Sequence, residues 1–253
     1  DTTAPSLTPV TAVPTPTRDN ITRYTFTTNE AGTITSSGGC SSSSSDNTTA
    51  VANVDITITF NELADNNYNC KVIVTDNAGN QGSLTVQFKI DTTAPTLDNV
   101  TDVSTTLDPT PNYTFRSSEA GTITYGGSCG SLSSSAVTDN TSKTITLTQP
   151  DNSTPFSDGT YGDCTIVVTD PAGNVSDALD VTPFTVSVPP YLTLVTAVPT
   201  PTSDNTPDYT FRSTEAGTIT YGGACGSSTS STATSDNNTV TLTQPDNSTP
   251  LSD

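Results

Sequence analysis

The sequence predicts an all-β protein built from tandem β-sandwich domains, and three observations carry that prediction. The stretch SSEAGTITYGGSCGS at residues 117–131 returns as STEAGTITYGGACGS at 213–227 and, more divergently, as TNEAGTITSSGGCSS at 28–42. Self-similarity of this kind marks an array of like domains. Apolar residues alternate with Ser and Thr over short runs, which is the period of a half-buried strand, and no segment carries helical periodicity. Gly, Pro, Asn and Asp punctuate those runs at short intervals, as they do between strands.

The elements follow in order. The first copy opens with DTTAPSL at residues 1–7 and the second with DTTAPTL at 91–97, where Pro5 and Pro95 suit a stiff entry into an edge strand. The third opens with VPPYLTL at 188–194, and the phrase VTAVPTPT at 10–17 and 195–202 fixes that start independently. Domains are therefore expected at 1–90, 91–187 and 188–253, the last lacking its final two strands. Within the second copy the first strand lies near 97–103, and the second points Tyr113 and Phe115 inward. Glu119-Ala120-Gly121 is a turn in which the glycine is expected to exploit its freedom at positive φ. The third strand sets Ile123 and Tyr125 on one face and threonines on the other. After a Ser-rich passage with a weak fourth strand, the fifth runs over 143–148 with Ile145 and Leu147 inward. The sixth runs over 161–169 with Cys164, Ile166 and Val168 inward, and the seventh over 179–187. Asp170-Pro171-Ala172-Gly173-Asn174 turns between the last two. Seven short strands in about 97 residues describe an immunoglobulin-like sandwich, with strands lettered A to G in chain order.

Composition narrows the function. A formal charge of −19, from 7 basic and 26 acidic residues, makes nucleic acid and anionic membrane poor partners and cations good ones. No apolar run approaches the roughly 18 residues of a membrane helix, and no secretory signal is visible. The sequence opens at Asp1 rather than Met, which reads as a processed product or an internal fragment. The five cysteines fall one pair per copy: Cys40 with Cys70, Cys129 with Cys164, and Cys225 left without a partner. That regularity, without CxxC spacing or any histidine, favours disulfides over zinc and places the chain in an oxidising, extracellular or cell-surface setting. Strands C and F are antiparallel neighbours in one sheet, so each bridge is expected to join them in-sheet at one pole. Closing such a loop stabilises by roughly 3–4 kcal/mol in the chain-entropy picture. With no His, neither a Ser-His-Asp nor a Cys-His arrangement is possible, and the chain is not expected to be an enzyme.

The frame DTTAP…EAGT…VTDxAGN resembles the bacterial immunoglobulin-like repeats of large surface adhesins and biofilm-associated proteins. It is carried by residues 91–95, 119–122 and 168–174, and in the first copy by 1–5, 30–33 and 74–80. The resemblance implies a stalk, spacer or filament shaft that holds a terminal binding domain away from the cell. Its partners would be neighbouring repeats and other copies in a fibre, with calcium bound between some domains. The added cysteine pair and the missing aspartate at the third start depart from that frame.

A cation site also follows from topology. The B–C loop, the F–G loop and the start of strand A share one pole of such a sandwich. This gathers Glu119, Asp170 and Asn174 beside Asp91, and in the first copy Glu30, Asp76 and Asn80 beside Asp1. Three carboxylates with amide and main-chain oxygens approach the roughly 6–8 oxygens that calcium takes. The other reading is that Asp170 and Asn174 shape a hairpin turn with Glu119 solvated beside it. Val188-Pro189-Pro190 offers no carboxylate at the second junction. Sequons such as Asn112-Tyr113-Thr114 and Asn140-Thr141-Ser142 admit glycosylation. Two other functional classes remain: ligand-binding modules for glycan or protein, and accessory domains of a secreted hydrolase. Finally, PLSD at 250–253 aligns with PFSD at 155–158, so the polypeptide is expected to continue past Asp253, with a cysteine about six residues on.

Overall fold

A computed structural model describes residues 1–42 and 48–252. Asp253, the last residue of the expected third domain, lies outside the described residues. The chain divides into two compact units, Asp1–Val186 and Ser187–Asp253. Among the described residues there is no helix, and hence none long and apolar enough to cross a membrane.

In the first repeat the strands are β1 (Leu7–Thr11), β2 (Arg23–Thr28), β3 (Gly32–Ser37), β4 (Thr49–Ala50), β5 (Ile56–Thr59), β6 (Asn66–Thr75) and β7 (Gln81–Ile90). They make two sheets, β1-β2-β5 and β4-β3-β6-β7. The second repeat has β8 (Leu97–Thr101), β9 (Asn112–Ser117), β10 (Gly121–Gly126), β11 (Gly130–Ser131), β12 (Ala136–Val137), β13 (Ser142–Thr148), β14 (Gly159–Tyr161), β15 (Thr165–Thr169), β16 (Leu179–Asp180) and β17 (Phe184–Val186). Its sheets are β11-β13-β9-β8 and β12-β10-β15-β16, with β14-β17 as a separate ribbon. The third repeat has β18 (Leu192–Thr196), β19 (Asp208–Ser213), β20 (Gly217–Thr218), β21 (Gly226–Ser227), β22 (Thr232–Ala233) and β23 (Asn237–Thr243). It forms the sheet β18-β19-β23-β21 and the pair β20-β22. The fold is therefore all-β and immunoglobulin-like, as the alternation predicts.

That alternation sets the core. Tyr113, Phe115, Ile145, Leu147, Ile166 and Val168 are fully buried. The opposite face of the same strands carries threonine pairs that share a hydrogen bond across the ladder. The pairs are Thr25 with Thr57, Thr114 with Thr144 and Thr210 with Thr239, each at 2.8 Å. One cross-strand polar pair thus recurs in every repeat on the outward side, the kind of contact that holds a ladder's register.

Four expectations need correction. The sixth strand is continuous in repeat one (β6) but split into β14 and β15 in repeat two. The reason is one extra residue: Tyr161-Gly162-Asp163-Cys164 replaces Tyr68-Asn69-Cys70. One inserted residue breaks a period of two, so the ladder is interrupted to keep both ends facing inward. The seventh strand is likewise two short pieces, β16 and β17, divided by a segment holding Pro183, which has no N–H for the ladder. The weak fourth strand resolves into two bridging pieces, β11 and β12, one in each sheet. Gly121 does not adopt positive φ. It is glycine because strand F passes close: a Cβ there would meet the Thr169 carbonyl oxygen at 2.5 Å, and one on Gly32 the Thr75 oxygen at 2.4 Å.

Both expected disulfides are present, Cys40–Cys70 and Cys129–Cys164, with Cα separations of 5.4 and 5.2 Å. The registers Ser37↔Lys71 and Gly126↔Thr165 put each bridge at one end of the C–F ladder. The bridges therefore join neighbours within a sheet. Cys225 is free and half-buried.

Candidate functional site

The junction between the first two repeats is a polar region held by hydrogen bonds from both sides. Strand β15 ends in a tight turn in which Asp170 N donates to Asn174 O (3.0 Å) and Gly173 N to Asp170 O (3.2 Å). Gly173 sits at φ 91°, a left-handed conformation that favours glycine there. Asn174 N donates to Asp170 Oδ1 and Asn174 Nδ2 to Asp170 Oδ2, both at 2.8 Å. The same Nδ2 donates to the carbonyl of Asp91 at 2.8 Å, so the F–G turn grips the linker directly.

Around that contact the structure brings together Asp91, Glu119 and Asp170, with one carboxylate oxygen of each lying within 4.8 Å of the others. Asp91 and Asp170 are buried, at 8% and 6% exposure, and Glu119 is half-buried. Burial, then the negative charges of Asp91 and Asp170, push the Glu119 carboxyl above its ordinary value, against a smaller pull from Lys89. The Lys89 ammonium sits 2.7 Å from Asp91 Oδ2. That hydrogen bond, with the charges of Asp91, Glu119 and Asp170, raises the Lys89 pKa despite partial desolvation. Three carboxylates thus face one ammonium, an arrangement that attracts further positive charge.

The first repeat repeats the pattern at its own N-terminal pole with Asp1, Glu30 and Asp76. Asn80 N and Nδ2 donate to Asp76 Oδ1 and Oδ2 at 2.8 and 2.9 Å, and Nδ2 reaches the Asp1 carbonyl at 3.4 Å. Hydrogen bonding from Asn80 first, then from other groups of the turn, holds the Asp76 carboxyl below its ordinary value. All eight residues expected at the two cation sites are therefore assembled in two homologous clusters. In both, the asparagine side chain donates through its nitrogen. Within the same geometry it serves the turn and the linker.

Three junction residues escaped the sequence reading. Asp65, in the loop before β6, accepts from Thr92 N and Thr92 Oγ1 (2.8 Å each) through Oδ1, and from Thr93 Oγ1 (2.6 Å) through Oδ2. Those bonds, Thr93 first, lower its pKa. Arg18 Nη1 donates to Gly173 O at 2.9 Å across the repeat boundary. Lys89 is the third. A signal was present: Arg18 is replaced by Ser203 in the otherwise repeated phrase of the third copy, so the cation is particular to this junction. Of the sequons, Asn112 Oδ1 accepts from Thr146 Oγ1 (2.9 Å), and Asn140 lies at φ 50°.

Residues 18–92 match the family described as Bacterial Ig-like domain. No curated protein matches the sequence. Among solved structures the chain is similar to the fibronectin(III)-like modules of Clostridium thermocellum CbhA, at 11% identity and TM-score 0.39, covering 72% of this chain and 95% of that one. It is also similar to the D00-D0 domain of intimin, at 12% identity and TM-score 0.36, covering 70% and 99%. A third similarity is to SGBP-B of the Bacteroides ovatus mixed-linkage glucan utilization locus, in complex with a mixed-linkage heptasaccharide. There the identity is 18% and the TM-score 0.27, covering 100% of this chain and 63% of that one.

Proposed function

We propose that the chain is a length of extracellular shaft from a bacterial surface adhesin, in which Ig-like repeats act as mechanical spacers rather than catalysts. The observation that supports it is the clamped linker. Residues 91–93 are held from the first repeat by Asp65 and from the second by Asn174, while Arg18 bonds across to Gly173. A linker bonded on both sides transmits load and orientation; a flexible one does neither. Each C–F disulfide serves the same end. The residues between bridged cysteines, 30 and 35 positions apart, cannot pay out as extra length when the chain is pulled. Backbone ¹⁵N relaxation over residues 91–95 tests the reading. Order parameters near ~0.85, matching the adjoining strands, are expected, and values below about 0.6 would overturn it.

Calcium at the junction is part of this proposal. Asp91, Glu119 and Asp170 supply carboxylate oxygens within 4.8 Å of one another, a hard-donor set suited to the ion. An ion there would compete with Lys89, whose ammonium already neutralises part of the cluster's charge at Asp91 Oδ2. Thermal melts of the whole chain with calcium and with chelator check it. A ligand present at ~100 times its dissociation constant stabilises by about 2.7 kcal/mol. A calcium-dependent rise is expected, lost in Asp170→Asn. The same melt in both media would count against the ion.

A further inference from the structure

Repeat two carries a hollow of about 460 Å³ between β10, the segment spanning β11 and β12, and the loop after β13. Ile123, Cys129 and Ser131 reach it from the core, and Tyr125, Ser133 and Asn152 stand around them. Its volume falls within the ~300–1,000 Å³ of small-molecule sites. None of its lining comes from β14 to β17, so it lies apart from the strands that follow the loop. Every side chain that lines it is uncharged, in a chain with 26 acidic residues. A cation finds no carboxylate there, and an anion meets the field of a chain of charge −19. The hollow suits a neutral ligand.

Two parts of that lining come and go together among the repeats. Tyr125 is matched by Tyr221 in the third copy but by Ser36 in the first. The loop TQPDNSTP at 148–155 returns unchanged at 243–250, whereas in the first copy residues 61–62 alone separate Phe60 from Leu63. Leu63 and Phe156 are equivalent, since their N–H groups donate to Asn20 O and Pro109 O at 2.9 Å each. In both later copies the asparagine of the loop is held alike. Asn152 and Asn247 sit at φ 59° and 61°, uncommon for a residue with a side chain. Their Oδ1 atoms accept from Ser131 N and Ser227 N at 3.0 and 3.1 Å. Gly130 and Gly226 make way for them, because a Cβ there would lie 2.6 and 2.4 Å from the asparagine Oδ1. The third copy has a corresponding hollow of about 390 Å³, with Tyr221, Ser227, Thr229 and Asn247 in its wall.

The fold also leaves hydrogen-bonding capacity unused around the hollow of repeat two. Asn152 Oδ1 is engaged, while its Nδ2 has no partner among the described residues. Ser133 Oγ accepts from Thr146 N at 2.9 Å, which leaves its O–H to donate. Tyr125 Oη is buried without a hydrogen bond, whereas Tyr68 and Tyr161 give theirs to Ala64 O and Ser157 O at 2.9 and 2.8 Å. Ser131 Oγ, the group near enough to influence it, already donates to Thr146 O and accepts from Ser133 N. A hydroxyl so placed calls for a partner from outside the chain. We propose that this hollow binds a neutral sugar residue of a glycan. The Tyr125 ring offers an apolar face to the C–H groups of the sugar. Asn152 Nδ2 donates to one sugar hydroxyl, and the Ser133 and Tyr125 hydroxyls pair with others. Sugar hydroxyls both donate and accept, which suits a wall of hydroxyls and one amide. A shaft of such repeats then holds glycan along its flank.

The test records ¹H–¹⁵N NMR spectra of the whole chain, its two bridges intact, titrated with cellobiose, maltose, lactose or N,N′-diacetylchitobiose. Glucuronic acid and glycerol serve as controls. At least one disaccharide is expected to shift the amides of residues 123–126, 131–135 and 151–153 saturably, while neither control does. Tyr125→Ala should weaken that binding roughly tenfold, as the loss of an aromatic anchor does. Asn152→Asp keeps the Oδ1 that Ser131 N needs and removes the donor, so it should weaken binding about fivefold. Unmoved amides in the remaining strands show that each variant is folded. Equal shifts with either control would overturn the proposal, glycerol by marking a merely hydrated hollow. So would shifts confined to other amides, affinities unchanged in both variants, or no response to any disaccharide.

Discussion

Repeats two and three are close in sequence from their second strand to the end of their fifth, and their first sheets have the same strand order, β11-β13-β9-β8 and β21-β23-β19-β18. Their interiors differ sharply. Repeat two buries Tyr113, Phe115, Ile123, Leu147, Ile166 and Val168 to 4% exposure or less, while among the described residues of repeat three the large apolar side chains that are buried are Phe211 and Val240. Ile219 and Tyr221 keep the sequence of Ile123 and Tyr125, but Ile219 does not reach the burial of Ile123. One sheet therefore forms from local pattern and hairpin ladders, whereas a core needs the second sheet. Apolar side chains are stabilised in proportion to the area that both sheets together remove from water.

The largest way to break this comparison is to truncate the same aromatic in each. Phe115→Ala is expected to cost about 3–5 kcal/mol, the range for a phenylalanine in a closed core. Phe211→Ala should cost less than half of that, because its cavity opens to water. Hydrogen exchange resolved over β9 and β19 separates the two, and equal losses would mean that repeat three is closed by other means. Removing the bridge comes next. Cys129→Ser with Cys164→Ser should lower stability of unit one by roughly 3–4 kcal/mol, while Cys225→Ser leaves unit two within about 0.5 kcal/mol. Urea melts with and without reductant read this directly.

Glycine substitution sharpens the contrast at a smaller scale. Gly121→Ala sets a Cβ against the Thr169 carbonyl and should cost about 1–3 kcal/mol. Gly217→Ala should stay within about 0.5 kcal/mol, since nothing lies within 4 Å. A comparable loss at both would show that a strand does cover β20 in solution.

The smallest effect should be the same in both repeats. Asp151 and Asp246 each accept hydrogen bonds from the turn that follows, first from Thr154 and Thr249, and each carboxyl is drawn down to about 2. A depressed folded pKa contributes stability that is present above the unfolded value and is lost as pH falls through about 2. Carboxyl NMR titration should give matching midpoints. A higher midpoint for Asp246 would mean that this turn depends on the second sheet.

Local pattern made much of this legible. The alternation around Tyr113, Phe115, Ile145 and Leu147 identified core positions, because a strand's two faces are set by a period of two whatever it packs against. The spacing of Cys129 and Cys164, read with the sandwich topology, identified their partnership. The recurrence of Glu119, Asp170 and Asn174 with Asp91 identified groups that meet at one pole, because loops at the same end of a sandwich converge. What stayed hidden depended on distant chain. The sequence shows Gly121 as a turn residue, and only the passage of β15 shows that it is a clearance. Lys89 and Asp65 carry no local signature and Arg18 only its replacement by Ser203 in the third copy, and the roles of all three arise where the two repeats of unit one meet. The sixth strand breaks because an insertion at Asp163 must be matched by one at Ser128 on its neighbour. By itself, then, the sequence determined which residues form strands, which faces turn inward and which cysteines pair, since those follow from short-range geometry and repetition. Only the tertiary structure decided how the linker is held, which ammonium faces the carboxylates and which glycine clears a passing strand, because each of these is a contact between segments far apart in the chain.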